Sequence, residues 1–377
     1  MDRKSLFENL AAHGVRGLQP YVPGKPIDEL EREYGISQSI KLASNENPLG
    51  PPASALRALN AAATQLALYP DGSGHALKQA LADHFAIDPA CLTLGNGSND
   101  ILVLLAESFL TPSVEAIFDQ YSFVVYRLAA QAADAVIRIA PSNPAGHAQP
   151  YGHDLGAFTA MLSDRTRLIF IANPNNPTGT WISGEALYEF LKRVPAHTIV
   201  VVDEAYAEYV SCDGYPDTLG WLAQFPNLVV TRTFSKIYGL AGLRVGYAIS
   251  HPDLAEILNR VRQPFNVNSL AQVAAIAALA DQEFLQRARD LNRSGLAELT
   301  DAFTAMRLTV VPSIGNFVLV DLGRPAAPVY EALLRAGIIV RPVANYGFPN
   351  HLRITVGLPE QNRRLTATLR KIVEADS

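Results

Sequence analysis

Charge is scarce in this chain of 377 residues: Asp, Glu, Lys and Arg make up 18% of it, against about 25% in an ordinary globular protein. Apolar residues reach 49%, which excludes disordered and fibrous classes and requires something to cover a large apolar surface. Neither sign of charge forms a run, and 31 Lys plus Arg against 36 Asp plus Glu leave a net charge of -5. That balance carries no electrostatic footprint for nucleic acid or an anionic membrane, so a small, locally recognised ligand is expected. Cysteine is nearly absent. Cys91 and Cys212 stand in unrelated contexts, with no CxxC spacing and no histidine-rich partners; this indicates neither a disulfide framework nor a zinc site and suits a reducing cytoplasm. Long hydrophobic runs are missing too: the nearest, AQVAAIAALA at 271–280, is shorter than the ~18 residues that span a bilayer. The N-terminal stretch MDRKSLFENLAAHGVRGLQP lacks the apolar core and cleavage site of a secretory leader, so the mature chain is expected to begin near Met1. No repeat and no low-complexity tract is evident.

The length, at roughly 150 residues per domain, predicts two or three domains. Short apolar runs that close on a polar residue alternate with helical patterns: LIFIAN at 168–173, TIVVVDEAY at 198–206, LVVTRTFSK at 228–236 and RVGYAI at 244–249. Runs so rich in Val and Ile read as strands buried on both faces, as in a parallel sheet between helices. The segments 98–110 and 184–194 carry i, i+3, i+4 apolar spacing behind capping residues and read as covering helices. After about residue 265 the pattern changes to long helices over 269–307 and short strands at 315–321 and 351–357, a second and smaller α+β unit. Ligands of open α/β sheets gather at the carboxyl ends of strands. Asn173, Asp203, Thr233 and Lys236 stand at those ends.

Lys236, just past a buried strand, is placed where partial desolvation lowers an amine's pKa and makes it usable for a Schiff base or proton relay; a solvated loop lysine is the plain alternative. Arg244, brought back by turns at Gly239 and Gly242, would join Thr233 and Ser235 in a phosphate cradle, unless it pairs with a nearby carboxylate. Asp203 closes TIVVVD, and a buried carboxylate requires a cation or a donor; a protonated ring nitrogen would serve, with Tyr206 reaching the same ring, and helix capping is the alternative. The loop NPNNPTG at 173–179 is too rich in proline for helix or central strand and displays Asn176 rigidly, though Asn-Pro turns also serve as punctuation. Gly95-Asn96-Gly97-Ser98-Asn99-Asp100 opens a helix and offers its N–H groups to an anion. As a dinucleotide signature it is poor, since Asp100 replaces the last glycine and no clean strand precedes the acid expected ~20 residues on.

Taken together, NPNNPTG, DEAY at 203–206 and TFSK ending at Lys236, with Asn176, Asp203 and Lys236 at intervals of 27 and 33 residues and Arg244 after them, resemble the pyridoxal-phosphate aminotransferases of fold type I. More narrowly, KLASNENPLG at 41–50, YPDG at 69–72, GNGSND at 95–100, IVRP at 339–342 and LRITVG at 352–357 resemble the histidinol-phosphate aminotransferase family, from about Tyr21 to Gly357. The resemblance implies an α/β fold with a mostly parallel seven-stranded sheet between helices and a smaller α+β domain. It implies an arm over 1–44, a large domain over 45–265 and a small one over 266–377. It assigns Lys236 as the amine that joins the cofactor and moves the proton at the substrate Cα, Asp203 as partner of the pyridine nitrogen, and Tyr206 with Asn176 as holders of the ring oxygen. Tyr121 would stack on the ring. Gly97, Ser98, Asn99, Thr233, Ser235 and Arg244 would bind the phosphate, joined by Tyr69 from a neighbouring subunit, which requires a homodimer. Arg353, helped by Arg341, would grip the substrate anion, and Tyr21 would touch the substrate; Asn45 and Asn47 are left as turn residues. The implied reaction takes L-histidinol phosphate and 2-oxoglutarate to imidazole acetol phosphate and L-glutamate, with no metal. Ser98-Asn99 departs from the family's usual Ala-Asp or Ala-Asn, and the aromatic loop VANYGF at 343–348 resembles members acting on phenylalanine or tyrosine, which stands as the alternative. Threonine-phosphate decarboxylase shares the fold. A dinucleotide-dependent dehydrogenase and a non-catalytic ligand-binding module are the readings from other classes, and no segment is left over for the latter.

Overall fold

The computed structural model describes residues 3–375, so Met1 lies outside it. A two-residue strand β1 (Ile40–Lys41) comes first, followed by β2 (Leu92–Gly95), β3 (Glu115–Asp119), β4 (Val136–Ala140), β5 (Thr166–Ala172), β6 (Ile199–Asp203), β7 (Leu228–Thr233) and β8 (Gly246–Ser250). Strands β2 to β8 form one seven-stranded sheet in the order β2-β8-β7-β6-β5-β3-β4. Every pair from β7 through β4 is parallel, while β8 runs against both β2 and β7. The expected mostly parallel sheet is present.

Side-chain alternation explains why these runs are apolar throughout. Leu168, Phe170, Val201 and Val229 point into a core under helices Ser98–Phe109 and Val124–Ala132, whereas Ile169, Ile171, Val200, Val202 and Val230 point into a second core on the other face. Both faces are dry, so a strict polar alternation would leave half the strand's polar groups unsatisfied. β3 is a strand that its apolar pattern does not announce, because EAIFD begins and ends in an acid. Both acids are buried with partners: Glu115 accepts from Arg165 (2.7 Å) and Ser163 (2.8 Å), and Asp119 from Ser142 (2.6 Å).

The alanine-rich segment 271–280 lies within helix Ser269–Ala280, whose Ala271, Ala274, Ala275 and Ala278 are fully buried against helices Ala53–Ala62 and His75–Phe85. Small side chains let these helices approach closely. No helix among the described residues is long and apolar enough to cross a membrane. The next helix, Gln282–Ala305, belongs to two cores: Phe284, Leu285 and Ala288 pack with the Ala53–Ala62 group, and Leu299 and Phe303 pack further on with Leu333, Leu365 and Leu369. That further core lies against strands β9 (Thr309–Val311), β10 (Phe317–Asp321), β11 (Ile338–Ile339), β12 (Arg341–Val343) and β13 (Phe348–Thr355). Four of them form an antiparallel sheet in the order β12-β13-β10-β9, and β1 pairs in parallel with β11. Leu42 therefore shares a core with the last third of the chain.

Gly246 is where the sheet and the following site meet. It pairs with both Gly95 and Thr233, and a Cβ on it would lie 2.3 Å from Ser98 N and 2.7 Å from Gly97 C. Because those atoms are backbone, they have little freedom to move away. Gly246→Ala is expected to cost about 2–3 kcal/mol or more, read as a lower urea midpoint at constant slope; a midpoint matching wild type would contradict this packing.

Candidate active site

The carboxyl ends of β2, β3, β5, β6 and β7 lie along one edge of the sheet, and a cavity of about 920 Å³ opens over them, lined among others by Tyr21, Ser98, Asn176, Asp203, Tyr206 and Lys236. At one end is an anion cradle. Gly97 precedes helix Ser98–Phe109 with a φ of +86°, and a Cβ there would sit 2.6 Å from Arg244 Nη2; only glycine lets the guanidinium lie on this turn. Arg244, with a φ of +55°, donates to Ser235 Oγ (3.2 Å) and Ala241 O (3.0 Å). Thr233 Oγ1 accepts from the Ser235 amide at 3.1 Å. Helix N–H groups, two hydroxyls and a planar cation converge here, and Ser98, Asn99, Thr233, Ser235 and Arg244 all line the cavity. This set suits a phosphate.

Asp203 is buried at the middle of the edge. Its Oδ2 accepts from Tyr126 Oη (2.8 Å) and its Oδ1 from Thr231 Oγ1 (3.1 Å). Burial pushes its pKa up, against the opposing pull of those two donors, the Ala205 amide and the Lys236 charge. The next acid, Glu204, is taken up otherwise, accepting from Arg232 Nε (3.0 Å) and Nη2 (2.7 Å) and from Thr218 Oγ1 (2.6 Å). Lys236 Nζ donates to Ser44 O (3.1 Å) and stands 5.5 Å from the centre of the Tyr206 ring. Burial first, and then the Arg353 charge, lower the amine from 10.5 to about 8. Tyr206 Oη accepts from Asn45 Nδ2 at 2.9 Å.

β12 and β13 set two arginines side by side, since Arg341 and Arg353 are register partners; neither is among the residues lining the cavity, and Arg353 reaches it through Asn176, which is. Both arginines are buried, and they are held by uncharged oxygens. Arg353 donates to Asn176 Oδ1 (2.5 Å) and Ala43 O (2.7 Å), and Arg341 to Val22 O (2.8 Å). Burial lowers the Arg353 pKa. Two desolvated cations that bond no carboxylate among the described residues make a site that is short of an anion. Tyr21, 48% exposed, lies 5.6 Å from the Arg341 guanidinium and helps line the cavity.

Two of the singled-out tyrosines lie elsewhere. The Asp119 carboxylate accepts the Tyr121 amide (2.7 Å), and the Tyr121 ring packs on Phe348 (4.2 Å) and edge-on to Tyr151 (5.7 Å). The rings on the cavity wall are Tyr21, Phe123, Tyr126 and Tyr206. Tyr69 is 83% exposed and stacks on Phe265 at 4.9 Å, outside this chain's own cavity. Conversely, sequence reading passed over Tyr126 and left Asn45 as a turn residue. Tyr126 is 77 residues from Asp203 and Asn45 is 161 from Tyr206, so no local spacing relates them.

The donors fit pyridoxal phosphate on this structure's own terms: a cradle that a Cβ would fill, a buried acid without a cationic partner of its own, and a neutralisable amine between them. Known proteins agree. Residues 37–369 match the model of aminotransferase class I and II. "Histidinol-phosphate aminotransferase 2" of Pseudomonas fluorescens (strain Pf0-1) is 54% identical over 97% of this chain and 98% of its own length. Its namesake in Pseudomonas aeruginosa is 55% identical over 99% and 100%. The crystal structure of histidinol-phosphate aminotransferase from Sinorhizobium meliloti in complex with pyridoxal-5'-phosphate superposes with a TM-score of 0.88 at 29% identity, covering 97% of each chain. This chain belongs to the class I and II aminotransferases, within the histidinol-phosphate aminotransferase family.

Proposed function

We propose that the protein transfers an amino group from L-histidinol phosphate to 2-oxoglutarate, giving imidazole acetol phosphate and L-glutamate, with pyridoxal phosphate as cofactor. The observation that carries this reading is the pair of buried arginines, Arg341 and Arg353, set as register partners on β12 and β13 with only uncharged oxygens bonded to them, in addition to a separate phosphate cradle. The full-length similarity to relatives of that name supports it.

Bound pyridoxal phosphate supplies an aldehyde for amines and a ring that accepts the electrons of a broken Cα–H bond. Arg244, Thr233, Ser235 and the N–H groups at Gly97, Ser98 and Asn99 hold its phosphate. Asp203 keeps the ring nitrogen protonated, since a carboxylate buried without a cation gains most from one. Tyr206 and Asn176 orient the ring oxygen, and Tyr121 is assigned to stack on the ring, its own ring packing on Phe348 in this structure. Lys236 takes and returns the proton at the substrate Cα, a role that needs an amine neutral near working pH. Arg353, with Arg341 and Tyr21, holds the substrate anion; a planar fork accepts carboxylate or phosphate alike.

We further propose a cytoplasmic homodimer in which Tyr69 reaches the partner's phosphate cradle. Exposed Leu66, Leu68, Tyr69 and Phe265 support such a contact. The division into an arm of 1–44, a large domain of 45–265 and a small one of 266–377 is proposed with it, supported by the separate sheets, with helix Ser269–Ala280 docked on the large domain.

A neutral amine attacks aldehydes, so reductive trapping of pyridoxal phosphate on Lys236 should speed up with pH and level off near 8. A rate still climbing towards 10.5 would contradict the desolvated lysine, and Lys236→Ala should lose at least about 10³-fold in kcat. Substrate choice is read from kcat/KM: histidinol phosphate should exceed phenylalanine by tenfold or more, about 1.4 kcal/mol, and the reverse would favour the aromatic reading. Arg353→Ala should cost about 10²-fold in kcat/KM. Tyr69→Phe should weaken cofactor retention several-fold while sedimentation still gives a dimer; a fully active monomer at micromolar concentration would refute the shared site.

A further inference from the structure

Three consecutive residues of the KLASNENPLG segment, none of them given a role in the site above, each touch a different side chain of the site. Ala43 O accepts from Arg353 Nη2 (2.7 Å), Ser44 O accepts from Lys236 Nζ (3.1 Å), and Asn45 Nδ2 donates to Tyr206 Oη (2.9 Å). Asn45 is the most constrained of the three. It is 1% exposed and has a φ of +56°, a left-handed conformation uncommon for non-glycine residues and one that Asn takes more readily than most. What holds it is a closed set of hydrogen bonds. Its amide donates to Thr355 Oγ1 (2.9 Å), Thr355 Oγ1 donates back to its Oδ1 (3.0 Å), and its carbonyl accepts from Asn316 Nδ2 (3.0 Å). With Oδ1 occupied by Thr355, the Asn45 amide group has only its Nδ2 hydrogens to present to Tyr206.

That orientation has a consequence for the phenol. Tyr206 Oη accepts a hydrogen bond from Asn45, and no acceptor for its own hydrogen is present among the described residues, while the side chain lines the cavity. We propose that Asn45 is a positioning residue of this active site, one that aims the Tyr206 hydroxyl hydrogen into the cavity and ties it to β13, the strand that carries Arg353. The inference rests on the cofactor reading above. A phenol that accepts one hydrogen bond is a stronger donor in the next, so Asn45 strengthens the hold of Tyr206 on an anionic ring oxygen. Thr355 follows Arg353 by two residues on β13, so a displacement of the arginine strand reaches Tyr206 through Thr355 and Asn45. The other ionisable groups facing Tyr206 are Lys236, Arg353, Asp203, Tyr126 and Tyr209, and none of them bonds to its hydroxyl.

The test is a pH titration of the visible absorbance, near about 420 nm, of protein loaded with pyridoxal phosphate. Asn45→Gly removes the side chain but keeps the left-handed backbone and its two main-chain contacts. Thr355→Val leaves the Asn45 side chain in place but unanchored. A donor on the ring oxygen withdraws the negative charge that would hold a proton on the lysine-linked nitrogen, so losing it raises the midpoint. The expected rise is about 0.5–1 unit in Asn45→Gly, the size of one lost hydrogen bond, and a smaller rise in Thr355→Val. The melting temperatures of the cofactor-free proteins are recorded alongside, because a purely structural role would move those and leave the midpoint. Should Asn45→Gly not fold, the Thr355→Val midpoint decides. Variants whose midpoints stay within about 0.2 unit of wild type overturn the inference alone, whereas a wild type that develops no visible band overturns the cofactor reading and this inference with it.

Discussion

Asp203 is a carboxylate at the dry end of a central strand, and the arrangement around it follows from the cost of keeping it there. β5, β6 and β7 run in parallel with Ala172, Asp203 and Thr231 in adjacent register, so the acid cannot turn out to solvent without breaking the sheet. Its two oxygens are met by Tyr126 from the covering helix and Thr231 from the next strand. These donors satisfy lone pairs but supply no positive charge, and burial still raises the pKa. A cation arriving in the cavity beside Asp203 is therefore bound more strongly than one at a solvated carboxylate. The same low-polarity surroundings lower Lys236 to about 8. One desolvated edge thus favours a neutral amine and a bound ring cation together.

The scarcity of charge takes its meaning from this edge. The sheet interior is Val, Ile, Leu and Phe on both faces, and its charged residues stand at strand ends with assigned partners. Glu115 binds Arg165 at the start of β3, and Glu204 binds Arg232 just past the end of β6. Glu208, buried near the same Arg232, is pushed up to about 7 by desolvation. Asp203, Arg341 and Arg353 differ: among the described residues each is buried with no opposite charge bonded to it. A protein that uses few charges leaves such exceptions visible.

Much of this was legible in the chain because strand ends announce themselves: TIVVVD and LVVTRT each close on a residue that lines the cavity, and LIFIAN closes on Asn173 between the lining residues Ala172 and Pro174. The prolines of 173–179 marked a shaped loop for the same reason, as they forbid the regular alternatives. β3 was not legible, since buried acids at both its ends break the apolar run and their partners lie 50 residues away at Arg165 and 23 away at Ser142. Tyr126 reads as one more aromatic on a helix until Asp203 is placed beside it. Asn45 reads as a turn residue, and its left-handed backbone is indeed that of a turn; only the fold brings Thr355 and Tyr206 to its two ends. The pairing of β1 with β11, which draws residues 40–42 into the last third of the chain, has no local signal at all.

That pairing bears on recognition as well as on architecture. Because β1 and residues 42–45 after it are anchored to β11 and β13, Ala43 O can hold one edge of the Arg353 guanidinium while Asn176 holds another. A guanidinium fixed at two of its nitrogens keeps a rigid plane, which suits an anion with two coplanar oxygens. Carboxylate and phosphate both offer such a pair, so a single fixed fork can serve an amino acid and a phosphorylated amine in alternate half-reactions. A lysine at 353 would keep the charge but lose the plane, and with it the means of holding two differently shaped anions at the same distance from Lys236.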